Sequence, residues 1–293
     1  MAESFRSSDP LLWLNGRFLS AREASISPLD RGFLYGDGVF ETMRAEKGCV
    51  LYAEYHLQRL HRSLNALRIK LENPPDWESL FRKLITRNNL SEEVASVKVV
   101  VTRGVCPGLG LPGCSSPTLL VTAQQYHSPE EEAYRKGWRL VVFRSGFSPP
   151  LAGHKSLNYL YFLTARQAAL DAGADEALIL DPYGNVAETA AGSILARTSG
   201  KWWTPASDYQ LPGITVKQVS AILAASSQEA QKRPSSLEEI LAADTVWILN
   251  SLMGIMPVRE IAGLAVKNPA TAEASTLRKE LFARGMRAIR SQI

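Results

Sequence analysis

Short apolar runs of strand character alternate with amphipathic helical stretches along all 293 residues, and that interleaving restricts the chain to a mixed α/β architecture. In the first half, LLWLNGRFL and VFETMRA read as strands, followed by a hairpin-like KGCVLYA. AEYHLQRLHRSLNALRI reads as a helix, with Leu57, Leu60, Leu64 and Leu67 three or four apart on one face. DWESLFRKLITRNN is a second helix after a Pro-Pro break, and VASVKVVVTRG and SPTLLVTAQQY are strands joined by a Gly/Pro-rich loop. The polar segment 126–137 is expected to be a linker, with an N-terminal domain at 1–125 and a C-terminal domain at 138–293. In the latter, WRLVVFRS and TVWILNS are strands, while SLNYLYFLTARQAALDAGA, TVKQVSAILAASS and the basic stretch from Pro269 are helical. EALILD and GSILAR read as a hairpin around a turn at Pro182 to Asn185. Two mixed domains with a cleft between them are expected, and small-molecule sites form in such clefts.

Composition narrows the function. Hydrophobic residues make up 45%, enough for a real core. No apolar run approaches the roughly 18 residues needed to cross a bilayer. MAESFRSSDP carries no apolar signal segment, so a cytoplasmic location is expected. The net charge of +4 is scattered, which speaks against a nucleic-acid surface and suits small anionic substrates. Cys49, Cys106 and Cys114 form an odd, sparse set that fits a reducing compartment better than a disulfide framework. The four histidines have no metal-ligand spacing, so no metal is expected. Gly108, Gly110 and Gly113 spell a dinucleotide-like GxGxxG, but Pro112 interrupts it and a strand follows where a helix is required; it reads as a loop. Trp202 and Trp203 stand either as interface anchors or as hairpin packing.

Six segments remain: SPLDRGFLYGDGVFETMR (27–44), HLQRL (56–60), GHKSLNYL (153–160), GNVAETAAGSI (184–194), LPGIT (211–215) and NSLMGIMPV (250–258). In this order and spacing the chain resembles the class IV (fold-type IV) pyridoxal-phosphate enzymes from about residue 12 to 260. That family includes branched-chain and D-amino acid aminotransferases and aminodeoxychorismate lyase. The resemblance implies a two-domain fold with a smaller N-terminal α/β domain, a larger C-terminal one, and pyridoxal 5'-phosphate in the interdomain cleft. By residue pattern alone, Lys155 is a solvent-facing lysine beside a turn. The six motifs in register make it the carrier of the cofactor and the group that moves the proton. Bonding an aldehyde requires a neutral amine, and Lys155 stands just ahead of a predicted helix, whose positive end disfavours a second positive charge.

Glu188 matches the carboxylate that keeps the cofactor's pyridine nitrogen protonated. Ser193 departs from the pattern, where the family usually has Asn. Arg59 matches the arginine that grips the cofactor phosphate, although it lies roughly opposite the leucine stripe and reads as solvated by periodicity. Ile214, Thr215, Ser251 and Leu252 match the remaining phosphate contacts, and Thr215 opens a predicted helix. Tyr159 aligns with a tyrosine that bonds the cofactor's phenolic oxygen in the branched-chain enzymes; lyases often carry Arg there. Tyr35, Arg44 and Arg103 line up around the substrate pocket.

The resemblance also orders the candidate reactions. D-amino acid aminotransferases carry Arg-x-His where this chain has Gly108 and Gly110, which offer no charge. Branched-chain enzymes usually read Gly-Thr-Ala where Asn250, Ser251 and Leu252 stand, and NSLMGIMPV is similar to the lyases. Aminodeoxychorismate lyase, releasing 4-aminobenzoate and pyruvate on the way to folate, is the first expectation. A branched-chain or related aminotransferase is the second, and a non-catalytic scaffold the third. The family assembles as homodimers.

Overall fold

The computed structural model describes residues 9–114, 116–145 and 148–290. The chain divides into two compact units, one running to His127 and taking in Ser156–Asn158, the other formed by Ser128–Lys155 and Tyr159–Ala288.

The first unit holds strands β1 (Leu11–Leu14), β2 (Arg17–Ser20), β3 (Gly38–Glu46), β4 (Cys49–Val50), β5 (Ala95–Thr102) and β6 (Thr118–Gln125), with helices α1 (Arg31–Tyr35), α2 (Ala53–Ala66) and α3 (Trp77–Arg87). Its sheet has the order β2-β1-β6-β5-β3-β4 and is antiparallel throughout. The single strand read in LLWLNGRFL is two: Asn15 (φ 46°) and Gly16 (φ 92°) close a two-residue hairpin, the conformation that Asn-Gly favours. β3 and β5 pair over eight residues, and Val39, Met43, Val97, Val99 and Val101 are wholly buried. β4 covers β3 only near Ala45 and Glu46. The other end is closed by the segment after Lys155: Ser156 bridges Val39, and the Leu157 N–H donates to Gly38 O at 2.9 Å. Gly38 is required there, since a Cβ would lie 2.5 Å from Val101 O and 2.8 Å from Leu157. The Gly108–Gly113 stretch is an inter-strand loop, as its pattern implies, because β6 pairs straight back on β5.

The second unit holds α4 (Glu131–Lys136), β7 (Trp138–Phe143), α5 (Leu160–Asp171), β8 (Glu176–Leu180), β9 (Val186–Thr189), β10 (Ser193–Thr198), β11 (Lys201–Pro205), α6 (Ile214–Ala224), β12 (Gln231–Arg233), α7 (Leu237–Leu241), β13 (Thr245–Asn250), β14 (Gly254–Ile261), β15 (Leu264–Ala265) and α8 (Thr271–Arg290). The sheet runs β12-β11-β10-β13-β14-β7-β8-β9, with β15 on β14. Within the polar stretch 126–137 lies α4, whose Tyr134 is buried and donates its hydroxyl to Met253 O. The expected hairpin is corrected in one partner. β8 turns at Asp181–Asn185 and pairs with β9, whereas GSILAR forms β10 and pairs with β13 and β11. A tight turn intervenes, in which the Thr189 N–H and hydroxyl both donate to Gly192 O. Trp202 and Trp203 are 2% and 3% exposed, and Trp202 stacks on Trp247 at 4.4 Å. They are core packing.

The loop 104–114 departs from expectation. Cys106 and Cys114 form a disulfide with Cα atoms 6.1 Å apart, and Cys49 is the free thiol. The loop folds back on itself because Gly108 and Gly110 take left-handed φ of 88° and 81°.

Candidate active site

In the second unit, the expected cofactor-binding residues other than Arg59 sit near the ends of β9 and β13, at the opening of α6, and in the chain leading into α5. Lys155 is half-buried in the extended stretch before α5. The helix opens five residues later, at Leu160, with Tyr159 at its N-cap. Lys155 Nζ lies 5.4 Å from the centre of the Tyr159 ring. A ring face at such a distance attracts a cation by about 0.5–1 kcal/mol.

The Tyr159 hydroxyl donates to Ala190 O at 3.2 Å. Burial, reinforced by the charges of Glu188 and Glu176, pushes its pKa from 10.0 to about 12. It stays a donor throughout the neutral range. Glu188 lies on β9, 6% exposed, and its Oε2 accepts from the Leu211 N–H at 3.2 Å. The LPGIT motif therefore reaches the carboxylate at Leu211 and then starts α6. Gly213 is the N-cap and offers no side-chain cap, while Ile214 and Thr215 are 8% and 7% exposed. A Cβ on Gly213 would come 2.1 Å from Ser193 Oγ, so residue 193 and the helix opening share one small space.

The turn between β13 and β14 is set by Asn250. Its Oδ1 accepts from the N–H groups of Leu252 (3.1 Å) and Met253 (2.9 Å), and its Nδ2 donates to Ala191 O at 3.1 Å. One amide side chain thus ties Ser251 and Leu252 to the turn that follows Glu188.

The remaining expected residues lie in the first unit. Arg59 on α2 is buried, against the reading from periodicity, because Glu41 of β3 takes its Nε at 2.7 Å and one Nη at 2.8 Å. His56 Nδ1 lies 2.7 Å from the same carboxylate. Burial alone pushes the Glu41 carboxyl up; the hydrogen bonds and charges of Arg59 and His56 overcome it and hold the pKa at about 2. Arg103 is 1% exposed and uses all five N–H donors on protein: Asp37 by Nε (2.7 Å) and Nη2 (2.9 Å), and the carbonyls of Leu67, Arg68 and Pro112. Arg31 joins Asp37 at 2.8 Å and donates to the carbonyls of Gly108 and Gly110. Arg44 pairs with Glu46 at 2.7 Å. Tyr35 is exposed, under the Arg31 guanidinium at 5.0 Å.

The sequence reading missed Glu176. This buried carboxylate, held by Arg166 at 3.0 Å, opens the otherwise apolar β8 and adds to the charge that Tyr159 senses. A lone acid at the head of an all-apolar strand was the available signal. Asn250 was noted for its type, but its two-turn bridge requires the fold.

Residues 38–261 match the family profile described as amino-transferase class IV. The chain belongs to that family. It is 33% identical over 275 residues, 92% of its length and 94% of the relative, to a provisionally named branched-chain-amino-acid aminotransferase of Methanocaldococcus jannaschii. It is 28% identical to an aminodeoxychorismate lyase of Bacillus subtilis over 86% of each chain. A solved structure of a T.th. branched-chain amino acid aminotransferase, complexed with N-(5'-phosphopyridoxyl)-L-glutamate, superposes with a TM-score of 0.85 at 25% identity, over 96% of this chain and 95% of that one. The class IV enzyme has the expected mixed α/β fold, and the resemblance drawn from the six motifs stands, as does dependence on pyridoxal phosphate. Among the described residues no helix is long and apolar enough to cross a membrane, and no cluster could hold a metal ion.

The second unit fits the cofactor. An 11-residue helix opens without a side-chain cap at a glycine that a Cβ would crowd, and the amides of such an opening suit a phosphate. A buried carboxylate suits a protonated ring nitrogen, and a primary amine lies close to a tyrosine in the same unit.

Proposed function

We propose that this class IV enzyme is an aminodeoxychorismate lyase. Asn250 carries the reading. The motif that begins with it is similar to that of the lyases, and its side chain spans the turns after Glu188 and before β14. The Bacillus subtilis relative supports the same assignment. Ile214, Thr215, Ser251 and Leu252 would hold the cofactor phosphate, with Arg59 added by the resemblance. Glu188 would face the pyridine nitrogen and Lys155 would bond the aldehyde. When bound, pyridoxal phosphate draws electrons from the substrate carbon that bears nitrogen. Lys155 Nζ, released when the substrate's amine takes its place on the aldehyde, would take the proton from that ring carbon while Glu188 balances the charge. The Tyr159 hydroxyl, protonated across the neutral range, donates a hydrogen bond rather than a proton. The enolpyruvyl C–O bond then breaks, the Lys155 ammonium returns its proton to the methylene carbon of the departing enolpyruvate, which leaves as pyruvate, and aromatisation to 4-aminobenzoate drives the step.

A branched-chain or related aminotransferase is the second reading, favoured by Tyr159 and by the Methanocaldococcus jannaschii relative. Purified protein supplied with cofactor is given aminodeoxychorismate, or L-leucine with 2-oxoglutarate, and 4-aminobenzoate, pyruvate and glutamate are followed. Product from the first substrate, absent in Lys155→Ala, supports the lyase. Glutamate from the second with no 4-aminobenzoate from the first sinks it. We also infer a homodimer, since α1 and the residues before it expose Ile26, Leu29, Phe33 and Leu34, an apolar surface costly to leave in water.

A further inference from the structure

The loop between β5 and β6 carries a constellation that the proposed reaction does not use. Cys106 and Cys114 bracket Pro107–Gly113, and their Cα separation of 6.1 Å lies inside the range a disulfide tolerates. Both are half-buried, so small reagents reach them, and Leu109 at the loop's tip is 89% exposed. The loop has a second, independent restraint. Arg31 holds the carbonyls of Gly108 and Gly110, and Arg103 holds that of Pro112, with both arginines anchored on buried Asp37. Opening the sulfur bridge therefore leaves the loop attached at three carbonyls, those of Gly108, Gly110 and Pro112. What it frees is the backbone between and beside those anchors, where Gly108 and Gly110 at positive φ give the chain room to move.

We propose that Cys106 and Cys114 are a reversible thiol–disulfide site that sets the order of this loop without being needed for the fold. The oxidant is a low-molecular-weight disulfide. One cysteine thiolate attacks it, forming a mixed disulfide and releasing the first reduced thiol. The second thiolate then attacks the bonded cysteine sulfur and releases the other. Two protons leave the cysteines, and two electrons reduce the small disulfide to two thiols. A reducing thiol reverses the sequence. The inference is independent of which class IV reaction the enzyme runs.

The full-length protein is equilibrated in oxidised glutathione or in dithiothreitol, and accessible thiols are counted with a maleimide after mild unfolding. All three cysteines should label in the reduced sample and Cys49 alone in the oxidised one. Hydrogen exchange of the 105–113 amides, read by mass spectrometry, should be at least about fivefold faster after reduction, as local opening requires. The double variant Cys106→Ser/Cys114→Ser should exchange at the reduced rate in both buffers, with exchange elsewhere unchanged. Three labelled thiols in oxidised glutathione, or equal loop exchange in the two states, overturns the proposal.

Discussion

Glu41 gathers Arg59 and His56 around one buried carboxylate. It is wholly buried, takes two N–H groups of Arg59 and sits on His56, so its removal strands a buried guanidinium. Glu41→Ala should cost about 3–5 kcal/mol in urea denaturation. The pH dependence follows from the direction of the shift. The folded carboxyl titrates at about 2 against an ordinary 4.5, so the folded state binds fewer protons across that interval. The stabilisation is full above about pH 4.5 and is lost as pH falls toward 2; Glu41→Gln should show a shallower loss over that window. For the chemistry, Lys155→Ala should remove turnover. Glu188→Gln should lower it by about 10²–10⁴ while leaving the urea midpoint within experimental spread; unchanged turnover in Glu188→Gln would count against the assigned role.

At the scale of elements, α6 and β3 turn on single glycines. Gly213→Ala drives a methyl toward Ser193 Oγ at the uncapped helix opening and should weaken cofactor affinity by about tenfold. Titration of the cofactor's absorbance measures it. Gly38→Ala meets a backbone carbonyl that cannot swing away and should destabilise by about 1–3 kcal/mol. How legible these elements were depended on the range of the forces that form them. The leucine stripe of α2 was readable because i, i+3 and i+4 neighbours are local; Leu60, Leu64 and Leu67 are buried as expected. The burial of Arg59 was not, since its partner Glu41 stands eighteen residues away on another element. The pairing of β8 with β9 was missed because a short strand and a tight turn hid inside what looked like one turn and one strand. Cys106 and Cys114 looked free because only the loop's left-handed glycines bring them together. The roles expected of Lys155 and Glu188 rest on motif order alone, for neither carries a local pattern that separates it from an ordinary charged residue.

Across the whole molecule, the exposed apolar face of α1 sets the prediction. Phe33→Glu with Leu34→Glu should convert the inferred dimer to a monomer in light scattering, with the first unit still folded because both side chains are exposed. A wild-type chain that is already monomeric at micromolar concentration would remove the inference. Ser156–Asn158 carry a different consequence. These residues belong to the first unit, yet they are encoded in the midst of the second and close the open end of β3. A gene cut after codon 127 would therefore yield a fragment with an unguarded sheet margin, prone to self-association. Adding the separately expressed C-terminal half, which carries Ser156–Asn158, should lower that self-association in light scattering; unchanged association would remove the inference.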